Sequence, residues 1–275
     1  MSLTHIDLPL ARQLERAEAT ANAAFVDARA RIDNTIGATW INIANAYAMF
    51  DGIGSPLSQT FSVGLYEPFG AEEFDQLEAF YDARDASTVV EISTFASSDV
   101  VHLLKERGYA PIEHSTVLLR ETLVLPDEHE GAITVRLIVT DELDRWAQIS
   151  SLGWSSESAE LGAFIEQLSL VMAHAHGTHC FLAELDARPI AAATLHVSND
   201  VALFAGASTI PEARGRGAQR ALLHARLAYA ATCGAHLAMI VTQPSSASQR
   251  NAERAGFRPV YARTKWERGV SAHGE

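Results

Sequence analysis

Displaced by 148 residues, the chain lies on itself. Thr94 falls on Thr242 (242 − 94 = 148), Ser97 on Ser245, Ser98 on Ser246, Gly108 on Gly256, Tyr109 on Phe257, Pro111 on Pro259, Thr116 on Thr264 and Arg120 on Arg268, without a gap. Both copies of the match read strand, helix, Gly-aromatic, strand. A duplicated unit argues against one unbroken core. At 275 residues the chain suits two domains. The expected division is a first domain over 1–125, a polar linker over 126–131 (Pro126 to Gly131), and a second domain over 132–275.

Periodicity fills in the elements. Pro9 to Arg31 predicts a helix, and 37–66 predicts strands broken by turns around Asp51-Gly52-Ile53-Gly54. Phe74, Leu77, Phe80 and Tyr81 share one face of a helix over 72–83. Strand 89–93, helix 99–107 and strand 113–125 complete the first copy. The second opens with strand 133–139, helix 141–152 capped by Asp141, and helix 161–173. A three-stranded meander follows over 180–185, 190–197 and 201–207. Helix 220–232, strand 237–242, helix 246–254 and strand 261–266 close it.

Charge narrows the partners. Lys+Arg 21 against Asp+Glu 34 leaves −13, which argues against coating nucleic acid or an anionic membrane. The imbalance is local: 8 basic against 18 acidic over 1–125, but 10 against 2 over 214–268. Either an anion binds that basic segment or its arginines are solvated. Two cysteines, Cys180 and Cys233, are too few for a disulfide framework, so a reducing cytoplasm is expected. Neither a signal peptide nor a membrane span is expected. His174-Ala175-His176-Gly177-Thr178-His179-Cys180 holds zinc-type ligands. Neighbours 179 and 180 alternate faces in a strand, so no metal is expected.

Arg214-Gly215-Arg216-Gly217-Ala218-Gln219 carries the strongest chemical signal. It follows a strand and opens a helix. Glycines free the backbone N–H groups, and the helix start adds more donors and a partial positive charge. Together they form a cradle for pyrophosphate. The spacing matches neither the dinucleotide nor the P-loop fingerprint.

After Pro211 this loop resembles the acyl-CoA loop of the GNAT acyltransferases, Arg/Gln-x-x-Gly-x-Gly/Ala. Arg214 and Gly217 match, and Gln219 stands where Gly or Ala is usual. The later family block, a helix ending in Gly-Phe, resembles Ser245 to Phe257. The resemblance covers about 131–268. It implies two tandem mixed α/β domains, each a mostly antiparallel sheet flanked by helices. It implies acetyl-CoA as co-substrate, and acetyl transfer to an amine, here expected on a small molecule. Ala207, Ser208 and Thr209 would pair with the pantetheine arm. The backbone of Gly215, Arg216, Gly217, Ala218, Gln219 and Arg220 would hold the pyrophosphate, with Arg214 and Ser245 beside it. The thioester would enter where the strand before the loop splays from strand 237–242. The repeat equivalent of the loop, Tyr66-Glu67-Pro68-Phe69-Gly70-Ala71, lacks that chemistry, so one cofactor site is expected.

The resemblance places a proton-donating Tyr four residues before the Gly-Phe glycine. Here that residue is Ala252, and the usual Asn eleven before is Ser245. Ser248, Asn251 and Tyr261 are the remaining candidates for protonating the leaving thiol, with helix capping, exposure and core packing as their ordinary roles. Glu184 and His196 are the nearest candidate bases. Trp154, Glu157 and His196 are the candidate acceptor contacts. An acyl-CoA-binding sensor or scaffold without catalysis is the alternative, and transfer to a hydroxyl or thiol a third reading. Monomer and homodimer are both left open.

Overall fold

The computed structural model describes residues 6–122, 132–154 and 158–269. The linker 126–131 and Glu157 lie outside them. Two compact units emerge: Met1–Val117 with Val260–Glu275, and Leu118–Pro259. The expected boundaries at 125 and 132 are therefore corrected. The closing strand of the second copy is built into the first unit.

In the first unit, helix α1 (Leu8–Ile32) begins where Asp7 accepts from the Leu10 N–H at 3.0 Å, with Pro9 in its first turn. Strands β1 (Thr39–Ile43), β2 (Ala46–Phe50) and β3 (Thr60–Phe61) follow, then helix α2 (Ala71–Asp82), strand β4 (Thr88–Ser93), helix α3 (Ser98–Glu106) and strand β5 (Ala110–Glu121). The last strand, β11 (Arg258–Arg268), pairs antiparallel with β4 and sits between it and β5. The expected face of α2 is buried: Phe74, Leu77, Phe80 and Tyr81 pack with Val90, Tyr109 and Trp266.

Charge explains why β11 belongs here. Lys265 lies opposite Glu91 across the pair. Arg268 reaches Glu78 at 3.2 Å and Asp82 at 3.3 Å. Arg263 is fully buried, and its Nη1 meets Glu15 at 3.4 Å, Glu18 at 2.6 Å and Glu91 at 3.5 Å. Tyr261 donates to Glu15 at 2.8 Å and Ser115 to Glu91 at 2.9 Å. So three of the ten cations counted over 214–268 neutralise carboxylates of the acidic first half.

The second unit has strand β6 (Ile133–Leu137), helices α4 (Leu143–Leu152) and α5 (Ala159–Ala173), strands β7 (Thr178–Leu185), β8 (Arg188–Ser198) and β9 (Val201–Thr209), helix α6 (Ala218–Thr232), strand β10 (Leu237–Thr242) and helix α7 (Ala247–Arg254). Its sheet runs β6-β7-β8-β9-β10, closed by the end of β5. Neighbours from β6 to β9 pair antiparallel, and β9–β10 is parallel. Alternation along β7 splits the core. Phe181 and Ala183 pack with α6, while Cys180 and Leu182 pack with Trp146 of α4. Asp141 does not cap α4. A 3₁₀ turn, Thr140–Glu142, precedes the helix, and Glu142 accepts the Val139 N–H at 3.0 Å.

The duplication is visible in matching helix ends. After α3, Tyr109 N–H donates to Leu104 C=O at 2.9 Å, and after α7, Phe257 N–H donates to Ala252 C=O at 3.0 Å. Gly108 (φ +81°) and Gly256 (φ +85°) make the left-handed turn between. Both are Schellman caps closed by a buried aromatic.

Candidate functional site

The register of β9 and β10 runs from Val201/Leu237 to Phe204/Ile240 and stops. A bulge causes the parting. On β8, Thr194 faces Ala205 and Ala192 faces Ser208, so Gly206 and Ala207 stand opposite Ala193 alone. Gly206 takes φ +57°. A bulge bends its strand, and here it carries β9 away from β10. The gap is a cavity of about 340 Å³ lined by Trp154, Phe204, Ala205, Gly206, Ala207, Gln219, Leu223, Arg226, Ile240, Val241, Ser248, Asn251 and Ala252. Trp154, Ala207, Gln219 and Asn251 also line a wider cleft of about 720 Å³.

That cleft opens onto the glycine loop. Gly215 takes φ +76° and Gly217 φ +90°, and a Cβ on either would meet nothing within 4 Å. Backbone conformation, not crowding, calls for glycine here. Gly217 is the N-cap of α6, with no side-chain cap and no acidic residue in the first turn. The first intrahelical bond is Ala221 N–H to Gly217 C=O at 3.0 Å. The amides of Ala218, Gln219 and Arg220 precede it and have no helical acceptor. The donor set suits a pyrophosphate. Arg220 and Arg254 line the cleft and are exposed.

Several side chains lock this geometry. Ser208 Oγ donates to Ser150 C=O at 2.9 Å, Arg214 Nη2 to Gly153 C=O at 2.7 Å, and Gln219 Nε2 to Thr209 Oγ1 at 2.9 Å. Ser208 and Arg214 thus tie the end of α4 to the loop. Gly153 has no spare room: a Cβ would lie 2.6 Å from Ser208 Cβ and 3.1 Å from Thr209 N. Gly153→Ala is expected to cost about 1–3 kcal/mol through overpacking. Thermal unfolding checks this, and an unchanged melting temperature would refute it.

The N-terminal copy treats the same helix start differently. Glu73 accepts the N–H of Gly70, the N-cap of α2, at 2.8 Å, and Glu72 and Glu73 occupy the first turn. An anion there would meet carboxylates instead of free amides. Tyr66 donates to Arg12 C=O, under the guanidinium of Arg16 at 4.4 Å.

Of the expected cofactor residues, Ala207, Ser208, Thr209, Arg214, Gly215, Gly217, Ala218, Gln219 and Arg220 line the wider cleft; Arg216 and Ser245 do not. Arg216 is exposed beside it. Ser245 takes φ +59° and its C=O accepts from Arg250 at 2.7 Å. Ser248, Asn251 and Trp154 face the inner cavity. The cap of α7 is Ser246, which accepts the Gln249 N–H at 3.1 Å, so Ser248 is not spent on capping. Three candidates are corrected. Tyr261 is in the first unit, its hydroxyl held by Glu15. Glu184 is paired with Arg136 at 2.8 Å and lines neither cavity. His196 is buried under Gly177, 3.4 Å from Thr178 Oγ1, and burial pushes its pKa down to about 4. It is neutral at physiological pH and lines neither cavity. In the histidine run, His179 meets Tyr229 of α6 at 3.1 Å while Cys180 packs on the opposite face. Among the described residues no three His, Cys, Asp or Glu group to hold a metal.

Arg226, in the inner cavity, and Arg254, in the wider cleft, are lining residues the sequence reading left unassigned. Residues 141–257 match the model of the acetyltransferase (GNAT) family. This segment is similar to the GNAT family.

Solved structures extend the likeness to both copies. A GCN5-related N-acetyltransferase from Kribbella flavida aligns with TM-score 0.63 and 18% identity, over 91% of this chain and 96% of its own. A tandem GNAT protein from the clavulanic acid biosynthesis pathway aligns with TM-score 0.61 and 14% identity, over 83% and 79%. A putative GNAT acetyltransferase from Novosphingobium aromaticivorans gives 0.54 and 18%, over 83% and 89%. At these identities the likeness is one of fold alone. Among curated proteins, none matches the sequence at a significant level. No helix among the described residues is long and apolar enough to cross a membrane.

Proposed function

We propose that the C-terminal GNAT domain transfers an acyl group, acetyl in the simplest case, from acyl-CoA to the amine of a small molecule. The observation that carries this reading is the parting of β9 from β10 beside the uncapped start of α6. The co-substrate supplies an activated thioester. The amides of Gly215 to Arg220 hold its pyrophosphate, and Arg216, Arg220 and Arg254 attract its charge. The free edge of β9 past Phe204 pairs with the amides of the arm. Transfer is direct: Cys180 is buried with its thiol pushed up to about 12, and neither cysteine lines the inner cavity or the wider cleft. Ser248 and Asn251 face the cavity where the leaving sulfur forms, and a water held there delivers its proton.

One observation favours the sensor reading. Ala252 lines the cavity where the family has its phenol, and it is 1% exposed. Calorimetric titration with acetyl-CoA, followed by turnover with an amine panel, separates the readings. One site per chain with turnover is expected. One site without turnover would support a sensor. Two sites would mean the N-terminal copy also binds, and no binding at millimolar ligand would end both readings.

A further inference from the structure

Arg226 has no part in the reaction above. It lies on α6 eight residues past Ala218, about 12 Å along the helix, and lines the inner cavity at 1% exposure. Its Nε donates to Leu222 C=O at 3.1 Å, and its Nη1 to Thr194 C=O at 2.8 Å and Ala205 C=O at 3.3 Å. The guanidinium sits 4.9 Å from the Phe204 ring centre. All three acceptors are neutral. Among the described residues no carboxylate pairs with it, and Nη2 makes no hydrogen bond. Burial pushes its pKa down only to about 9, so it stays charged at neutral pH.

A buried cation without a counterion destabilises a fold. Packing gives no reason for it, because Leu222, Leu223, Leu227 and Ala230 make the rest of this helix face apolar. The bulge carbonyls hold the guanidinium where β9 and β10 begin to part. A group reaching it enters between those strands, as the thioester does, and ahead of the sulfur lies only the acyl chain. A bare methyl would leave the cation unpaired there.

Resting on the acyltransferase reading, we propose that Arg226 receives a carboxylate at the far end of the acyl chain. The donor is then the CoA thioester of a short dicarboxylic acid, malonyl or succinyl in size. The amine nitrogen bonds to the thioester carbon, the carbon–sulfur bond breaks, and the proton lost by the amine goes to the CoA thiolate. The product is an amide with a free terminal carboxylate, so an uncharged or cationic amine becomes an acid.

Succinyl-CoA and butyryl-CoA match in chain length and differ in carboxylate against methyl, so their binding ratio is the test. In the full chain, succinyl- or malonyl-CoA is expected to bind at least tenfold tighter than butyryl- or acetyl-CoA. Arg226→Met, which keeps an unbranched side chain, is expected to bring the ratio to about one, and Arg226→Lys to keep it above one. Equal binding of succinyl- and butyryl-CoA to the parent overturns the proposal. So does a ratio that survives Arg226→Met. Free CoA binding without a carboxylate preference removes this inference alone, whereas failure of free CoA to bind removes the acyltransferase reading too.

Discussion

Arg263→Met is expected to lower the unfolding free energy by about 3–5 kcal/mol, the usual cost of removing one partner from a buried ion pair. At roughly 2–4 °C per kcal/mol, the melting temperature falls by about 10 °C. The cause is the company Arg263 keeps: Glu15, Glu18 and Glu91 all lie within 3.5 Å of its Nη1. The loss depends on pH in a defined direction. Burial raises the Glu15 carboxyl from 4.5 to about 7, with Arg263 holding it down. The native state therefore binds more protons than the unfolded chain between those values. This group's contribution is full below about 4.5 and is lost as pH rises through about 7. Without Arg263 the carboxyl rises further. The gap between parent and variant should be widest at pH 8 and shrink toward pH 5, as read from urea unfolding at both. An equal gap at the two would assign the loss to packing.

Gly217→Glu is expected to weaken CoA binding at least 100-fold, about 2.7 kcal/mol. It places a carboxylate on the N-cap of α6, beside amides that the phosphate needs. A carboxylate already occupies the start of α2, where Glu73, three residues after the N-cap, takes the Gly70 N–H. The left-handed φ adds strain of about 1–2 kcal/mol, with no clash to add to it. Gly217→Asn carries the same backbone demand without the charge, so calorimetry on both separates the contributions. Equal weakening by Asn and Glu would show that backbone shape, not electrostatics, governs the site.

Local chemistry made most of the fold legible in advance. Strand β10 was bounded to the residue, because an apolar run between Gly234 and Pro244 has few alternatives. The glycine loop was readable because strand, turn and helix start lie consecutively along the chain. What escaped was tertiary. Sequence order does not say which sheet a strand joins, so β11 passed for the closing strand of its own copy. The clue was electrostatic: a first half with too many acids, and Arg263, Lys265 and Arg268 two or three residues apart near the end. Tyr261 was misplaced with it. Glu184 was read correctly as a strand residue, but alternation gives a face and not a neighbour, so Arg136 went unseen. Arg226 was left unassigned within the basic segment, although its four-residue spacing from Leu222 and Ala230 puts it on the buried face of α6.

The placement of β11 has a consequence for synthesis. The first copy is translated first, yet its sheet lacks an inner strand until Val260 to Arg268 leave the ribosome. Roughly 140 residues separate that strand from the end of β5, about 7–30 s of elongation. Through that interval Glu15 and Glu91 have no Arg263, and the slot beside β4 stands open. The first copy must therefore wait for a strand made roughly 140 residues later to finish folding.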